Sequence, residues 1–190
     1  VVFLKHNDET MKPTVYGGSL KDSNLTTTTA STVVLNSGTF AAVYGAGTQA
    51  QNCASAVSMP VNSTAVVEKL FGAGSAGGNV TGNVTVQVLG GTVNAPVYGG
   101  GEESGVTGSA TVEVSNDNME TSKSIYGGGK GAEVIGNSTV TVTLPNKENA
   151  DTFNLTTISG LGTNTEGNAL AENVTGTKTV SIAMNDAGST

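Results

Sequence analysis

Five aromatic residues recur along this chain at nearly constant spacing, and aromatic faces offer the apolar area on which a sugar ring can stack. Each follows an aliphatic residue and precedes glycines, as in the string from Val97 to Gly101. If the aliphatic neighbour points inward, the rings form an exposed row, which we predict to be a ligand-binding site. The alternative is that the row only stabilises the protein through ring-on-ring packing. The five residues are Tyr16, Tyr44, Phe71, Tyr98 and Tyr126.

The acidic residues indicate chemistry less strongly. Glu102 and Glu103 are adjacent, and Glu133 lies at a related place in the next repeat. Paired carboxylates can serve acid–base catalysis or bind a hard cation, but a solvated turn is the simpler interpretation. The cluster Asn116-Asp117-Asn118 lacks the Gly and the downstream Glu of an EF-hand loop. We therefore predict no metal site and no cofactor.

Residues for nucleophilic or phosphate chemistry are scarce. His6 is the only histidine, and all 8 basic residues are lysines. A catalytic triad or a histidine-rich metal site cannot be assembled from one histidine. The glycine strings lack the Gly-Lys-Ser/Thr ending of a P-loop. We predict that the chain is not an enzyme and has no catalytic residue.

Charge and hydropathy exclude further classes of partner. The chain has 8 basic and 15 acidic residues, for a formal net charge of −7. Binding to a nucleic-acid backbone needs clustered basic residues, and these lysines are scattered. No apolar run approaches the length that crosses a bilayer, so we predict no membrane insertion. Low charge with abundant Thr, Ser, Gly and Asn predicts an extracellular location, either secreted or on the cell surface.

The aromatic positions mark a sequence repeat. Counting from residue 16 to 44, 71, 98, 126 and the degenerate Ser159, the spacings are 28, 27, 27, 28 and 33 residues. A fixed period of this size is typical of repeat architectures, in which each unit buries its apolar edge against its neighbours. Stretches such as Thr111-Val112-Glu113-Val114 precede the later glycine strings and alternate apolar with polar residues, as half-buried strands do.

Aligned by repeat, these stretches give two wholly apolar columns. The first contains Val33, Val57, Val86, Val112, Val140 and Val180, and the second contains Leu35, Met59, Val88, Val114, Val142 and Ile182. With a third short strand near Val80, Val106 and Val134, each repeat fits one coil. We predict an all-β parallel β-helix of about six coils over residues 15–190. A β-sandwich is the alternative, but it would need complementary hairpins in place of identical columns.

Residues 1–14 precede the repeats and are predicted to form an N-terminal strand and linker. A β-helix leaves open edges at both ends, which must be covered to prevent edge-to-edge association. The apolar segment Val1, Val2, Phe3 and Leu4 could cap its own first coil. Alternatively, it is an inter-subunit strand that pairs with another copy, as in donor-strand assembly.

The repeat resembles those of large adhesin-like surface proteins of anaerobic Gram-positive bacteria. The shared pattern is Gly-x-Val-Thr-Gly-x-x-Thr-Val-x-Val followed by Val-Tyr-Gly-Gly-Gly, within about residues 15–184 and clearest over 70–142. This resemblance implies a β-helical extracellular region for adhesion, carbohydrate contact or display. Our leading hypothesis is a non-enzymatic structural or adhesive module of a bacterial cell-surface protein. Its partners would be a host or environmental glycan or protein, or copies of itself.

Two further hypotheses follow from the repeat. The runner-up is a self-assembling subunit of an extracellular filament that uses residues 1–4 as the donor strand. The other is an ice-binding face, because Thr32, Thr85, Thr111, Thr139 and Thr179 form an outward column. Ala56 interrupts that column and Glu113 lies in the next one, so a regular two-column Thr array is absent.

Overall fold

The computed structural model describes residues 12–20, 28–49, 51–115, 124–144, 155–168, 170 and 173–184. In these residues the chain is all-β, and every pair of neighbouring strands is parallel. This confirms the predicted parallel β-helix, because a β-sandwich would be built from antiparallel hairpins. The described residues include no helix long and apolar enough to span a bilayer.

The strands form two long and two short parallel sheets. Sheet 1 contains β1 (Thr14–Tyr16), β4 (Ala42–Tyr44), β8 (Leu70–Phe71), β12 (Val97–Tyr98), β15 (Ser124–Tyr126) and β17 (Thr157–Ser159). Sheet 2 contains β2 (Ser31–Val34), β6 (Ser55–Met59), β10 (Val84–Val88), β14 (Ala110–Val114), β16 (Ser138–Leu144) and β18 (Lys178–Met184). Sheet 3 contains β3 (Thr39–Phe40), β7 (Val66–Val67) and β11 (Thr92–Val93), and sheet 4 contains β5 (Gln51–Asn52), β9 (Asn79–Val80) and β13 (Gly105–Val106).

The strands per coil and the number of coils both differ from the prediction. A complete coil has four strands, not three, because the two-residue strands of sheet 3 were missed. The equally short strands of sheet 4 were predicted because a Val-Thr-Gly string repeats there, at 80–82 and 106–108, and no such string marks sheet 3. The solenoid has about four turns, where about six coils were predicted. The six segments that contain the repeating aromatic position, Ser159 included, are the six strands of sheet 1. Within the described residues, all four strands are seen only in the coils that begin at β4 and at β8.

The register of sheet 2 aligns the two apolar columns as predicted. Val86, for example, is the Cα partner of Val57 on one side and of Val112 on the other. The inner members of both columns are fully buried and form one aliphatic core with Val43, Leu70, Val97 and Ile125 of sheet 1. Val is the commonest residue of this core. Its side chain is stiff at χ1 and suits the pleated inner surface of the strands that enclose the interior of the solenoid. We call this interior the aliphatic core.

The glycine that follows each aromatic residue permits close stacking of the coils. A Cβ atom built on Gly99 would lie 2.5 Å from the carbonyl oxygen of Gly127 in the next coil. The carbonyl of Gly72 would meet a Cβ on Gly45 in the same way, and that of Gly99 would meet one on Gly72. Any side chain at these positions would push the coils apart, which explains why the repeat keeps glycine there.

Candidate functional site

The five aromatic residues form one continuous stack along sheet 1, which we call the aromatic ladder. Successive ring centroids are 5.1, 5.3, 5.0 and 5.0 Å apart, with interplanar angles of at most 17°. The spacing follows from the strand separation in a sheet, about 4.8 Å, because each ring occupies the same register position in its strand. The members of the ladder are Tyr16, Tyr44, Phe71, Tyr98 and Tyr126.

The expectation that this row is exposed is wrong for its three middle members. Tyr44, Phe71 and Tyr98 are buried, whereas Tyr16 and Tyr126 at the two ends are half-buried. Strand alternation does point the rings away from the aliphatic core, and they form a separate apolar cluster. However, each middle ring has both faces covered by neighbouring rings. The faces that a sugar would need are therefore occupied along most of the ladder.

Charged and polar side chains cover the rims of the rings. The hydroxyl of Tyr44 donates a hydrogen bond of 2.5 Å to Oε2 of Glu102. The other carboxylate oxygen of Glu102 lies 3.4 Å from Nζ of Lys130 and 3.6 Å from Nζ of Lys69. The Glu102 side chain, just after β12, thus joins residues at or beside β4, β8 and β15 of sheet 1. The hydroxyl of Tyr98 is hydrogen-bonded to Oγ1 of Thr163 at 3.1 Å.

These contacts obey a simple rule of position. Glu102 lies four residues after Tyr98, and Lys130 lies four residues after Tyr126. Thr163 lies four residues after Ser159 and is the bridge partner of Lys130. A tyrosine hydroxyl therefore reaches the covering residue that lies two strands further along sheet 1. We did not predict these covering residues from the sequence, although their constant offset from the aromatic position was a usable signal.

Burial and charge fix the protonation states of this cluster. Burial raises the pKa of the Glu102 carboxyl, but the Tyr44 hydrogen bond and the positive charges of Lys69 and Lys130 outweigh it, so the pKa lies below its ordinary value. Burial, followed by the hydrogen bond to Glu102, raises the pKa of Tyr44 far above the ordinary range. Burial also raises the pKa of Tyr98, and the bond to Thr163 partly offsets that effect. At neutral pH a neutral phenol therefore donates to an anionic carboxylate.

The two other acids considered from the sequence, Glu103 and Glu133, do not join this cluster. Glu103 is exposed, and the structure brings neither it nor Glu133 to Glu102 through any hydrogen bond or ion pair found in the described residues. Glu133 instead borders an open depression of about 300 Å³ with Gly131, Ala132, Leu170 and Asn173. The side chain of Asn173 is held by the backbone, since it accepts from Gly162 N and donates to Gly129 O. Among the described residues, Glu133 is the one acid that lines the depression.

The outer face of sheet 2 is the broadest regular surface that the strands present. Its first outward column contains Thr32, Ala56, Thr85, Thr111, Thr139 and Thr179, in the register that the sequence predicted. These side chains are exposed or half-buried. The second column includes Gln87, whose Nε2 donates to Oε2 of Glu113 at 2.9 Å. The face is therefore rich in hydroxyl groups, with the one amide of Gln87 and the carboxylate of Glu113 near its centre.

Several sequence predictions lie outside the described residues. These are the inter-subunit strand Val1, Val2, Phe3 and Leu4, the histidine His6 and the Asn116-Asp117-Asn118 cluster. Within the residues that are described, no group of three or more His, Cys, Asp or Glu side chains is placed to hold a metal ion.

Comparison with known proteins gives no relative: no protein-family model, no curated protein and no solved structure matches this chain.

Proposed function

We propose that this chain is a non-enzymatic structural and adhesive module of an extracellular bacterial surface protein. The observation that carries the proposal is the aromatic ladder, whose three middle rings are buried and in which Tyr44 and Tyr98 are hydrogen-bonded to residues two strands away. The residues that recur in every coil therefore contribute to stacking, as expected of a solenoid whose task is to hold a shape. The likeness to adhesin-like repeats supports the extracellular role.

The adhesive surface in this proposal is the outer face of sheet 2, not the aromatic row. Its hydroxyl and amide groups project from strands held in fixed register, so they are preorganised for a ligand with many hydroxyls. A glycan is such a ligand. Of the ladder, only Tyr16 and Tyr126 are left with a partly open ring, which restricts stacking against a sugar to the two ends.

A glycan array tests the adhesive part of the proposal. The whole chain is compared with a Thr85→Ala/Thr111→Ala/Thr139→Ala variant and with Tyr126→Ala. We expect the triple variant to lose at least tenfold in retained glycan, and Tyr126→Ala to bind as the unaltered chain does. If glycan binding depended on Tyr126 alone, the binding site would be the aromatic row and not sheet 2. If the chain bound no glycan and no matrix protein, the adhesive role would be wrong.

The non-enzymatic part is tested on the same glycans. The chain is incubated with each retained polysaccharide, and new reducing ends and unsaturated products are measured over time. We expect neither product to rise above the level of a heat-denatured sample. Release of either product would overturn the non-enzymatic assignment. The extracellular location is tested by adding protease to intact cells of the source organism, which should digest the protein without lysis.

A further inference from the structure

All the tyrosines of the chain lie in the aromatic ladder, and the chain contains no tryptophan. The 4 tyrosines are Tyr16, Tyr44, Tyr98 and Tyr126. Successive rings of the ladder are 5.0 to 5.3 Å apart and nearly parallel, so their π systems are in contact. Contact of this kind lets an electron pass from one ring to the next. The chemistry that the ladder permits is therefore the one-electron oxidation of a phenol.

A phenol that loses an electron inside a protein must also lose its proton, because a positive charge in an interior is costly. Tyr44 has a base in place for that proton. Its hydroxyl donates to Oε2 of Glu102 at 2.5 Å, and the pKa of this carboxyl is lowered, so it is anionic at neutral pH. The hydroxyl of Tyr98 is bonded instead to the neutral hydroxyl of Thr163, which is a poor base. Of the two buried phenols, Tyr44 is therefore the one that can lose an electron and a proton together.

We propose that Tyr44 is a redox-active tyrosine, oxidised through the aromatic ladder by a one-electron oxidant that acts on Tyr16 or Tyr126. The oxidant is of the class of high-valent metal complexes or organic radicals. Tyr44 loses one electron to the ladder and its hydroxyl proton to Glu102, which leaves a neutral tyrosyl radical, a protonated carboxyl and the reduced oxidant. A one-electron reductant such as a thiol reverses the step. This activity does not depend on the proposed adhesive function.

The two ends of the ladder give the oxidant access. Tyr16 and Tyr126 are half-buried. Tyr44 and Tyr98 are each only 5% exposed, so an oxidant in solution meets an end ring first. Tyr16 contacts Tyr44 directly. From Tyr126 the electron deficit passes through Tyr98 and across Phe71, whose ring is harder to oxidise and serves as a bridge between its neighbours.

Lys69 and Lys130 accommodate the charge that oxidation leaves behind. Before oxidation the Glu102 carboxylate is paired with both ammonium groups, at 3.6 and 3.4 Å. After oxidation the carboxyl is neutral, and the added positive charge belongs to the two lysines. Their side chains are 54% and 28% exposed, so water solvates this charge at lower cost than a buried ring would carry it. The cluster thus moves the charge from the ladder to the surface.

Flash photolysis of the whole chain with a photo-oxidised ruthenium complex tests the assignment to Tyr44. The tyrosyl radical is followed by its absorbance and by electron paramagnetic resonance. Tyr44→Phe should lower the yield of long-lived radical by about tenfold or more, because the one buried phenol with a base is removed. Tyr98→Phe removes the other buried hydroxyl and should keep most of the radical, since Tyr16 still gives access to Tyr44.

The role of Glu102 as the proton acceptor is tested in the same way. Glu102→Gln should slow formation of the radical by about a hundredfold, because the amide is not a base. Glu103→Gln alters the adjacent exposed acid and is the matched control, so the radical should form at the unaltered rate. Equal rates in the two variants would contradict proton transfer to Glu102.

A Tyr16→Phe/Tyr126→Phe variant tests the route through the ladder. All chains carry Cys53→Ser, which removes the competing thiol. The variant keeps five stacked rings but lacks the two half-buried phenols, so the radical on Tyr44 should form about tenfold more slowly or slower still. An unchanged rate would mean that Tyr44 is oxidised without the ladder and would overturn the proposal. So would the absence of any radical in the Cys53→Ser chain, or equal yields from Tyr44→Phe and Tyr98→Phe.

Discussion

Leu70 and Phe71 are neighbours in β8, yet their side chains pack in two different interiors. Leu70 is in the aliphatic core, whereas Phe71 is in the middle of the aromatic ladder on the opposite face of sheet 1. Both are buried. The aliphatic core is enclosed by the coils themselves. The ladder is enclosed by its own rings and by side chains such as Glu102 and Thr163, which come from elsewhere in the solenoid.

The difference shows two ways in which stacked coils can be held together. Aliphatic contacts stabilise the stack in proportion to buried area and specify little beyond size. The hydrogen bonds of Tyr44 and Tyr98 have direction, and each skips one coil to reach the next but one. The ladder therefore links coils directly even though their strands do not pair. The aliphatic columns link such coils only through the coil that lies between them.

The largest effect is expected from truncating Phe71, with Leu70 as its neighbouring comparison. Phe71→Ala should lower the free energy of unfolding by about 3–5 kcal/mol, because it opens a gap between the rings of Tyr44 and Tyr98. Leu70→Ala should cost about 2–5 kcal/mol through the cavity it leaves in the aliphatic core. Urea unfolding measures both. If Phe71→Ala lowered the free energy of unfolding by less than about 1 kcal/mol, the aromatic ladder would not act as a second hydrophobic core.

Removing one hydroxyl tests the charged hydrogen bond. Tyr44→Phe keeps the ring stack but leaves the buried side of Glu102 without its donor, so the free energy of unfolding should fall by about 1.5–3 kcal/mol. Tyr16→Phe, at the half-buried end of the ladder, is the matched control and should cost clearly less. Equal losses in the two variants, measured by urea unfolding at pH 7, would contradict a specific role for the Glu102 contact.

Acid should weaken the ladder selectively. The pKa of Glu102 lies below the value of 4.5 that it has when unfolded, so its contribution is complete above that pH and is lost as the pH falls through the folded pKa. Between pH 7 and pH 3 the unaltered chain should thus lose more stability than Glu102→Gln does. Glu103→Gln, which alters the adjacent exposed acid, should keep the original pH profile. If the free energy of unfolding depended on pH in the same way in all three chains, the stabilising role of the Glu102 carboxylate would be contradicted.

At alkaline pH the dependence of stability on pH has the opposite sign, because stability is lost as the pH rises. The pKa of Tyr44 lies above its unfolded value of 10.0, so its contribution is complete below that pH and falls as the pH rises beyond it. The same titration series, extended to high pH, should show a larger loss in the unaltered chain than in Tyr44→Phe, in which only the raised pKa of Tyr98 still contributes.

The smallest effect is expected at the neutral hydrogen bond. Tyr98→Phe should lower the free energy of unfolding by about 0.5–1.5 kcal/mol, since the bond to Thr163 involves no charge. Thr163→Val should have a similar effect. In the double variant the second change should add little, because both remove the same interaction. Fully additive losses would mean that the two hydroxyls act separately.

The sequence predicted the features of the fold that repeat. Columns such as Val86, Val112 and Val140 were recognisable because strand alternation has period two and every coil uses it in the same register. The glycine after each aromatic residue was recognisable as part of the repeat, but the reason for it, the close approach of the next carbonyl, is visible only in the structure. The two-residue strands of sheet 3 were missed because they are too short for a periodic signal and, unlike those of sheet 4, are not marked by a repeated string.

The sequence by itself thus determined the parallel β-solenoid, its repeat length and the composition of its aliphatic core, because these depend on contacts between equivalent residues. Only the tertiary structure decided that the aromatic row is buried and that Glu102 lies against Tyr44. It also showed that Val180 and Ile182 are far more exposed than the inner members of their columns. These features join non-equivalent residues or distinguish members of one column, so no column of the sequence records them.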